Sequence, residues 1–325
     1  MFDPKKIMQE RSLLDPIPTS DPALFPQDDY VPEGCIELND LHDEYGYHVD
    51  IHRDVVYCER TNETGDTCKL HLTILEPKEH FHSEKEKRWP CLVYIQGSAF
   101  HEQWIWNNIS RLLRLAEKGF VVAIVEYRPS EFAPFPAQVQ DAKTAIRFLR
   151  KHASTYHIDE KHMAIGGDSS GGHTALIAGF SGDQKPNTDD YSEYSAQVNC
   201  IVDWYGPTVF SLMNYYESSQ NHYDPKSPEG FEIGQKNVLE HPELVKDTIP
   251  MNYVSSDQKT PPLLILHGSR DMLVPFHQSV FLYEYMLELH KDVTFYKLND
   301  ANHGSLGFDN DRVMGIVVEF LKTHI

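Results

Sequence analysis

A serine flanked by glycines two positions to either side is the first feature of this 325-residue sequence that could perform chemistry. The segment Gly167-Asp168-Ser169-Ser170-Gly171 matches the pattern G-x-S-x-G and follows an apolar run at 163–166. This pattern places a serine on a sharp turn between a strand and a helix. Because the helix directs its first N–H groups at the turn, it can stabilise negative charge there. We therefore predict that Ser169 is a nucleophile and that the backbone N–H of Ser170 helps to bind an oxyanion.

A nucleophilic serine needs a base, and the base needs a carboxylate that orients it. With this motif the acid precedes the histidine in the chain, and both follow later strands. Asp271 comes after the apolar run 262–267, and His303 comes after the run 293–298. We predict that Asp271 is the acid and His303 the base. Asp203, which follows an earlier strand, is the alternative acid.

The second half of an oxyanion hole is expected in the loop after the first buried strand. Here that loop reads Gln96-Gly97-Ser98-Ala99-Phe100 and follows the apolar run 91–95. The backbone N–H groups of Ser98 and Ala99 are the predicted donors. A simple turn from a strand to a helix is the alternative interpretation.

Several aromatic residues cluster near the expected mouth of this site. They could line an apolar acyl or aryl pocket, or they could pack in the core. The residues concerned are Phe100, Trp104, Trp204 and Tyr205. No compact set of metal ligands stands out in the sequence. Acyl transfer by a serine needs no metal or organic cofactor, so we predict none.

The elements that must position these residues form an alternating series. Two strands at 55–60 and 69–76, with a turn at 62–66, are predicted to be antiparallel. After them, continuously apolar strands alternate with helices, which indicates parallel strands buried on both faces. The prediction is an α/β fold whose mostly parallel central sheet carries helices on both faces. The remaining strands are expected at 91–95, 120–126, 163–166, 200–204, 262–267 and 293–298, and the helices at 104–118, 137–152, 171–180, 277–290 and 311–324.

Two segments fall outside this alternation. Residues 1–50 are rich in proline, aspartate and polar residues, and we predict an N-terminal arm that packs on the core. Residues 51–325 are then the catalytic domain. Within it, residues 208–260 break the pattern, with only a weak helix near 237–246, and are predicted to be a small cap insertion over the end of the sheet.

The composition restricts the partners. With 29 basic and 49 acidic residues the net charge is −20, which argues against nucleic acid or an anionic membrane as the main partner. The hydrophobic share of 40% excludes a disordered chain. Five cysteines without a CxxC pair predict free thiols, with a Cys58–Cys68 bridge as the alternative. Together with the absence of a secretory signal pattern at the start, this predicts a cytoplasmic protein.

The quoted motifs resemble those of α/β-hydrolases. The elbow GDSSGG, the loop QGSAF, the segment Tyr127-Arg128-Pro129 and the segments HGSRDMLVP and NHG are similar to the hormone-sensitive-lipase and bacterial feruloyl-esterase-like (BD-FAE-like) branches. The resemblance covers about residues 90–310. It implies a nucleophile at Ser169, an acid at Asp271, a base at His303 and oxyanion donors at Ser98, Ala99 and Ser170.

One departure from that resemblance affects the substrate. The oxyanion loop of those branches is usually His-Gly-Gly-Gly, whereas this chain has Gln96, Ser98 and Ala99 at three of the four positions. Because the donors are backbone groups, the hole can persist. The added side chains narrow the space beside the acyl carbon and disfavour bulky acyl groups and tertiary alcohols.

The prediction is thus a serine carboxylesterase that hydrolyses small-molecule esters, with short acyl groups such as acetyl or with hydroxycinnamoyl groups, through an acyl-enzyme. An amide-cleaving enzyme on the same scaffold, an arylformamidase or a peptidase, is the first alternative. A catalytically inactive binding module is the second. The expected partner is a small ester, and an exposed last strand leaves a homodimer open.

Overall fold

The structure, a computed structural model, describes residues 30–35, 46–79 and 87–325. The chain divides into two compact units, Met1–Tyr45 and Gly46–Ile325. Most of the predicted arm, and its packing on the core, lies outside the described residues. The first strand begins at His48, just inside the range predicted for the arm.

Within the described ranges, eight strands form one sheet in the order β1-β2-β4-β3-β5-β6-β7-β8. β1 pairs with β2 and β2 with β4 in antiparallel fashion, and all other neighbours are parallel. The predicted hairpin is longer at both ends than the sequence pattern indicated. The strands are β1 His48–Thr61, β2 Thr67–Lys78, β3 Trp89–Ile95, β4 Val121–Val125, β5 Ile158–Asp168, β6 Cys200–Trp204, β7 Leu263–Gly268 and β8 Val293–Leu298.

Helices cover both faces of the sheet. Alternate residues of one strand belong to different apolar clusters, with Val93 in the cluster on one face and Leu92 in the cluster on the other. Every residue of β4, β6 and β7 is buried, as expected for strands that are covered on both sides. The helices are α1 Ile109–Ala116, α2 Ala137–Lys151, α3 Ser170–Ser181, α4 Pro228–Glu232, α5 Pro242–Val245, α6 His277–Glu288 and α7 Asp311–His324. The predicted fold class is confirmed.

The segment between β6 and β7 is irregular and has a small core of its own. It contains the short helices α4 and α5 and several 3₁₀ turns. The weak helix expected near 237–246 is reduced to α5, because Pro242 begins it and the chain turns into 3₁₀ geometry after Val245. A third apolar cluster joins this segment to the oxyanion loop and comprises Phe100, Phe210, Ile233, Val238 and Val245.

Two further observations concern the sequence predictions. All five cysteines are free thiols, so Cys58 and Cys68 are not bridged. No helix in the ranges 30–35, 46–79 and 87–325 is long and apolar enough to cross a bilayer.

Candidate active site

Ser169 occupies a strained turn between β5 and α3. Its backbone has φ 52° and ψ −127°, a conformation that side-chain-bearing residues rarely adopt. Its N–H donates to the carbonyl of Trp204 at 2.9 Å, which fixes the turn against β6. A Cβ at Gly171 would overlap the carbonyl of Ile95. The glycine of the motif is therefore required because α3 begins against the backbone of β3.

The three predicted triad side chains are hydrogen-bonded in series. His303 Nε2 lies 2.9 Å from Ser169 Oγ, and His303 Nδ1 lies 2.8 Å from Asp271 Oδ2. Asp271 follows β7 and His303 follows β8, so two neighbouring parallel strands deliver both residues to the edge of the sheet where β5 delivers Ser169. With Nδ1–H donating to Asp271, the free Nε2 can accept the proton of the serine hydroxyl.

The carboxylate of Asp271 is buried and held from several sides. Its Oδ1 accepts the N–H groups of Leu273 and Val274 at 2.9 and 2.8 Å. His267 Nε2 lies 3.3 Å from Oδ2, the oxygen that faces His303. Burial raises the pKa of Asp271, but hydrogen bonds from His267 and His303 outweigh it and hold the pKa well below its usual range. The group is therefore an anion opposite the imidazole. Sequence reasoning missed His267, whose only signal is its place four residues before Asp271.

The alternative acid, Asp203, has a different environment. It lies in β6, and its Oδ1 accepts the N–H of Gly206 at 3.0 Å. Its Oδ2 is buried and has no partner among the described residues. Complete burial raises the pKa of Asp203 to about 7. The carboxylate that contacts the histidine is that of Asp271.

The oxyanion loop departs from the prediction at one donor. The N–H of Ser98 donates to Ser170 Oγ at 2.9 Å, so it already has an acceptor. This follows from the serine at position 170, whose hydroxyl reaches across from α3. For the N–H groups of Ala99 and Ser170, no described residue supplies an acceptor. The arrangement thus offers two backbone donors, with Ala99 held at φ 55°.

A buried polar network supports the loop from below. Asp168 Oδ1 accepts the N–H of Gly97 at 2.9 Å and the hydroxyl of Tyr94 at 2.5 Å. The buried guanidinium of Arg111 donates to the same hydroxyl and lies 4.0 Å from the carboxylate. The network ties the elbow residue before Ser169 to the oxyanion loop. Sequence analysis gave Asp168 no role. Tyr94 and Arg111 are distant from it in the sequence, and only the folded structure brings them into contact with it.

A cavity of about 260 Å³ opens beside the serine and the imidazole. Its lining combines the elbow and the oxyanion loop with residues of the β6–β7 segment and of the loop that carries Asp271. The lining residues are Gly97, Ser98, Ala99, Phe100, Asp168, Ser169, Ser170, Pro207, Gln220, His222, Pro228, Glu229, Leu273, Val274 and His303. Sequence analysis missed Gln220, His222 and Glu229, because they lie in the segment without periodicity.

Of the four aromatic residues predicted for the pocket, Phe100 alone is part of this lining. Trp104 is 68% exposed outside it. Trp204 is buried in the core beside Tyr94 and Arg111, because it points to the face of the sheet that α1 covers. Tyr205 is buried against His303. The pocket assignment of Trp104, Trp204 and Tyr205 is therefore corrected.

The described residues contain no group of three or more histidine, cysteine, aspartate or glutamate side chains placed to hold a metal ion.

Known proteins similar to this chain were found by sequence and by structure. Residues 80–286 match the BD-FAE family. Esterase LipC of Mycobacterium tuberculosis is 27% identical over 265 residues, which are 78% of this chain and 61% of LipC. The chain thus spans about three fifths of the length of that relative.

Solved structures extend the similarity to the whole described fold. A truncated form of a carbohydrate esterase from gut microbiota superposes with a TM-score of 0.71 at 29% identity, covering 86% of this chain and 98% of that one. An acetyl ester-xyloside bifunctional hydrolase from Caldicellulosiruptor lactoaceticus, at 23% identity, has a TM-score of 0.67 over 83% of this chain and 95% of its own. The second likeness supports the fold alone. The chain belongs to the BD-FAE family and has the α/β-hydrolase fold, as its motifs predict.

Proposed function

We propose that this protein is a serine carboxylesterase that hydrolyses small esters with short acyl groups. The observation that carries the proposal is the continuous hydrogen-bonded series from Ser169 through His303 to Asp271, which lies beside a cavity of about 260 Å³. The names of LipC, an esterase, and of the carbohydrate esterase support the same reaction class.

The proposed mechanism follows from the atoms that face the cavity. His303 Nε2 takes the proton of Ser169 as Oγ attacks the ester carbonyl, and the N–H groups of Ala99 and Ser170 bind the oxyanion. Each such donor contributes about 3 kcal/mol to transition-state stabilisation. The alcohol leaves with the proton from His303. Water, activated by the same nitrogen, then hydrolyses the acyl-enzyme and returns Ser169 to its starting state.

The size of the cavity favours short acyl groups over hydroxycinnamoyl groups. Its volume of about 260 Å³ lies below the roughly 300–1,000 Å³ of sites that enclose drug-sized ligands. Ser98 and Ala99 carry side chains where glycines are usual, which reduces the space beside the acyl carbon further.

An acyl-chain-length series of p-nitrophenyl esters tests the proposal. We expect the highest kcat/KM with acetate or propionate and a fall of at least about 10⁴-fold in Ser169→Ala. Ser256→Ala removes an exposed hydroxyl outside the cavity and serves as the matched control. Full activity of Ser169→Ala would exclude Ser169 as the nucleophile. A higher kcat/KM on formylkynurenine or on peptide anilides would favour the amide-cleaving alternative.

Two finer proposals concern the protein as a whole. Its free cysteines support a cytoplasmic location, where thiols stay reduced. β8 lies at the edge of the described sheet, and its outer side could pair with the same strand of a second copy. Sedimentation at several concentrations distinguishes a dimer from a monomer.

A further inference from the structure

A second histidine–carboxylate pair lies in the β6–β7 segment, outside the predicted triad. His222 Nδ1 is 2.8 Å from Glu229 Oε2, and the side chains are only 2% and 3% exposed. Glu229 lies in the first turn of the short helix α4. Both residues line the cavity that also contains Ser169 and His303.

The contacts of the second imidazole nitrogen fix this pair in place. His222 Nε2 lies 3.0 Å from the carbonyl of Leu273 and 2.8 Å from Ser218 Oγ. The carbonyl oxygen of Leu273 can only accept hydrogen bonds. The hydroxyl of Ser218 donates to this same carbonyl at 2.9 Å. The hydrogen on Nε2 therefore points to the carbonyl of Leu273 and to Ser218, and Nδ1 is held by Glu229 Oε2.

The second oxygen of Glu229 is the free one. Oε1 accepts no hydrogen bond from any residue in the described part of the chain. Glu229 is buried, and it lines the cavity together with apolar residues such as Phe100 and Leu273 and polar residues such as Gln220. Oε1 keeps some accessible surface, so a group bound in the cavity can reach it and donate a hydrogen bond to it.

We propose that Glu229 is a specificity-determining residue that accepts a hydrogen bond from a free hydroxyl group on the alcohol part of the ester. This inference rests on the proposed function. A short acyl group such as acetyl carries no hydrogen-bond donor, so the part of the substrate that can supply one is the alcohol. Because His222 occupies Oε2, the oxygen left for a ligand is Oε1, which suits a hydroxyl donor. The predicted substrate class is the partial ester of a diol or polyol.

Two pairs of acetates that differ by one atom test this preference. 2-Hydroxyethyl acetate is compared with propyl acetate, and 3-hydroxypropyl acetate with butyl acetate, which replaces the hydroxyl by a methyl group at two distances from the ester. We expect at least one pair to show a kcat/KM ratio of about 10 to 100 in favour of the hydroxylated ester. That is the gain expected from one hydrogen bond to a charged group.

The variants locate the source of the ratio. In Glu229→Gln the amide can still bond to His222, but any acceptor that faces the cavity is then neutral, so the ratio should fall about tenfold. Glu229→Leu should bring the ratio close to 1. Glu240→Gln changes an exposed carboxylate of the same segment outside the cavity and should keep the wild-type ratio.

The outcomes separate this inference from the proposed function. A wild-type ratio near 1 in both pairs, or an unchanged ratio in both Glu229 variants, would overturn the role of Glu229 while Ser169-dependent hydrolysis of p-nitrophenyl acetate persists. A loss of kcat/KM in the Glu229 variants that is equal on all four esters would also overturn this role. Glu229 would then act by positioning the loop that contains Leu273. A wild-type enzyme that hydrolyses none of these esters would overturn the proposed function and this inference with it.

Discussion

The ring of Tyr205 packs against the imidazole of His303, with centroids 4.7 Å apart and planes inclined by 60°. Tyr205 is buried and adopts φ 47° directly after β6. On another side its ring meets Phe308 at 4.6 Å. Tyr205 therefore forms a rigid support that, together with the bond to Asp271, restricts the orientation of His303.

Removing this support should impair proton transfer more than binding. We expect Tyr205→Leu to lower kcat by about 10- to 100-fold, because a misplaced base reduces the fraction of reactive geometries. KM should change less. Tyr205→Phe keeps the ring and should retain most of kcat. Steady-state kinetics on p-nitrophenyl acetate, with thermal unfolding of each variant as a control, measures the effect. Equal kcat for the Leu and Phe variants would show that the ring does not orient His303.

Tyr205 also illustrates what the sequence can predict. Ser169, Asp271 and His303 each stand at the carboxyl end of an apolar strand, so the strand pattern and the parallel topology together place them at one edge of the sheet. Tyr205 and Trp204 stand at such an end as well, and sequence alone assigned them to the pocket. Which face of the sheet a side chain meets depends on strand register and on the covering helix, and neither is visible in a local pattern.

The polar groups around the triad were beyond sequence reasoning for a related reason. The acceptor for the N–H of Ser98 is the side chain of Ser170, 72 positions away. Glu229 and His222 lie in a segment whose apolar residues follow neither the two-residue period of a strand nor the 3.6-residue period of a helix. The burial of these two side chains could therefore not be predicted from the sequence. Their positions follow from tertiary contacts between the β6–β7 segment and the loop after Asp271.

The contact between Asp168 and Gly97 leads to a second prediction. Asp168 Oδ1 accepts the N–H of Gly97 in the oxyanion loop, and it also accepts the hydroxyl of Tyr94. Asp168→Ala should lower kcat by about tenfold or more, because the loop that carries Ala99 loses its anchor to the elbow. Asp168→Asn retains an acceptor oxygen and should recover a large part of that loss. Kinetics on p-nitrophenyl acetate tests both, and equal defects in the two variants would show that the charge beside Arg111 matters rather than the hydrogen bond.

The low pKa of Asp271 gives a third prediction, on activity and on acid stability. Asp271→Asn can no longer pair as an anion with His303 Nδ1–H, and we expect kcat to fall by about 10⁴-fold. Because folding lowers the pKa of Asp271, the ionised group stabilises the native state above the unfolded pKa of about 3.9, and this contribution is lost as the pH falls through the lower, folded value. The wild type should therefore lose more stability than the variant between about pH 5 and about pH 2. If the melting temperatures of the wild type and of Asp271→Asn fell by the same amount over this pH range, the prediction would be refuted.

Asp203 should affect stability in the opposite direction. Burial raises its pKa to about 7, so the folded protein favours the protonated group. The sign follows from linkage: this contribution to stability is fully present below the unfolded pKa of about 3.9 and is lost as the pH rises through the folded value. Asp203→Asn keeps an oxygen for the N–H of Gly206 and cannot ionise. The effect of the buried amide group in this variant on the free energy of unfolding is the same at every pH.

The readout for Asp203 is therefore a difference between two melting experiments. Relative to the wild type, the melting temperature of Asp203→Asn should rise by about 2 °C or more on going from about pH 5 to about pH 9, since about 1 kcal/mol corresponds to roughly 2–4 °C in a domain of this size. Asp257→Asn alters an exposed carboxylate and provides the control. A relative melting temperature that is constant over this range would mean that Asp203 is already ionised at pH 5 in the folded protein, which would contradict the prediction.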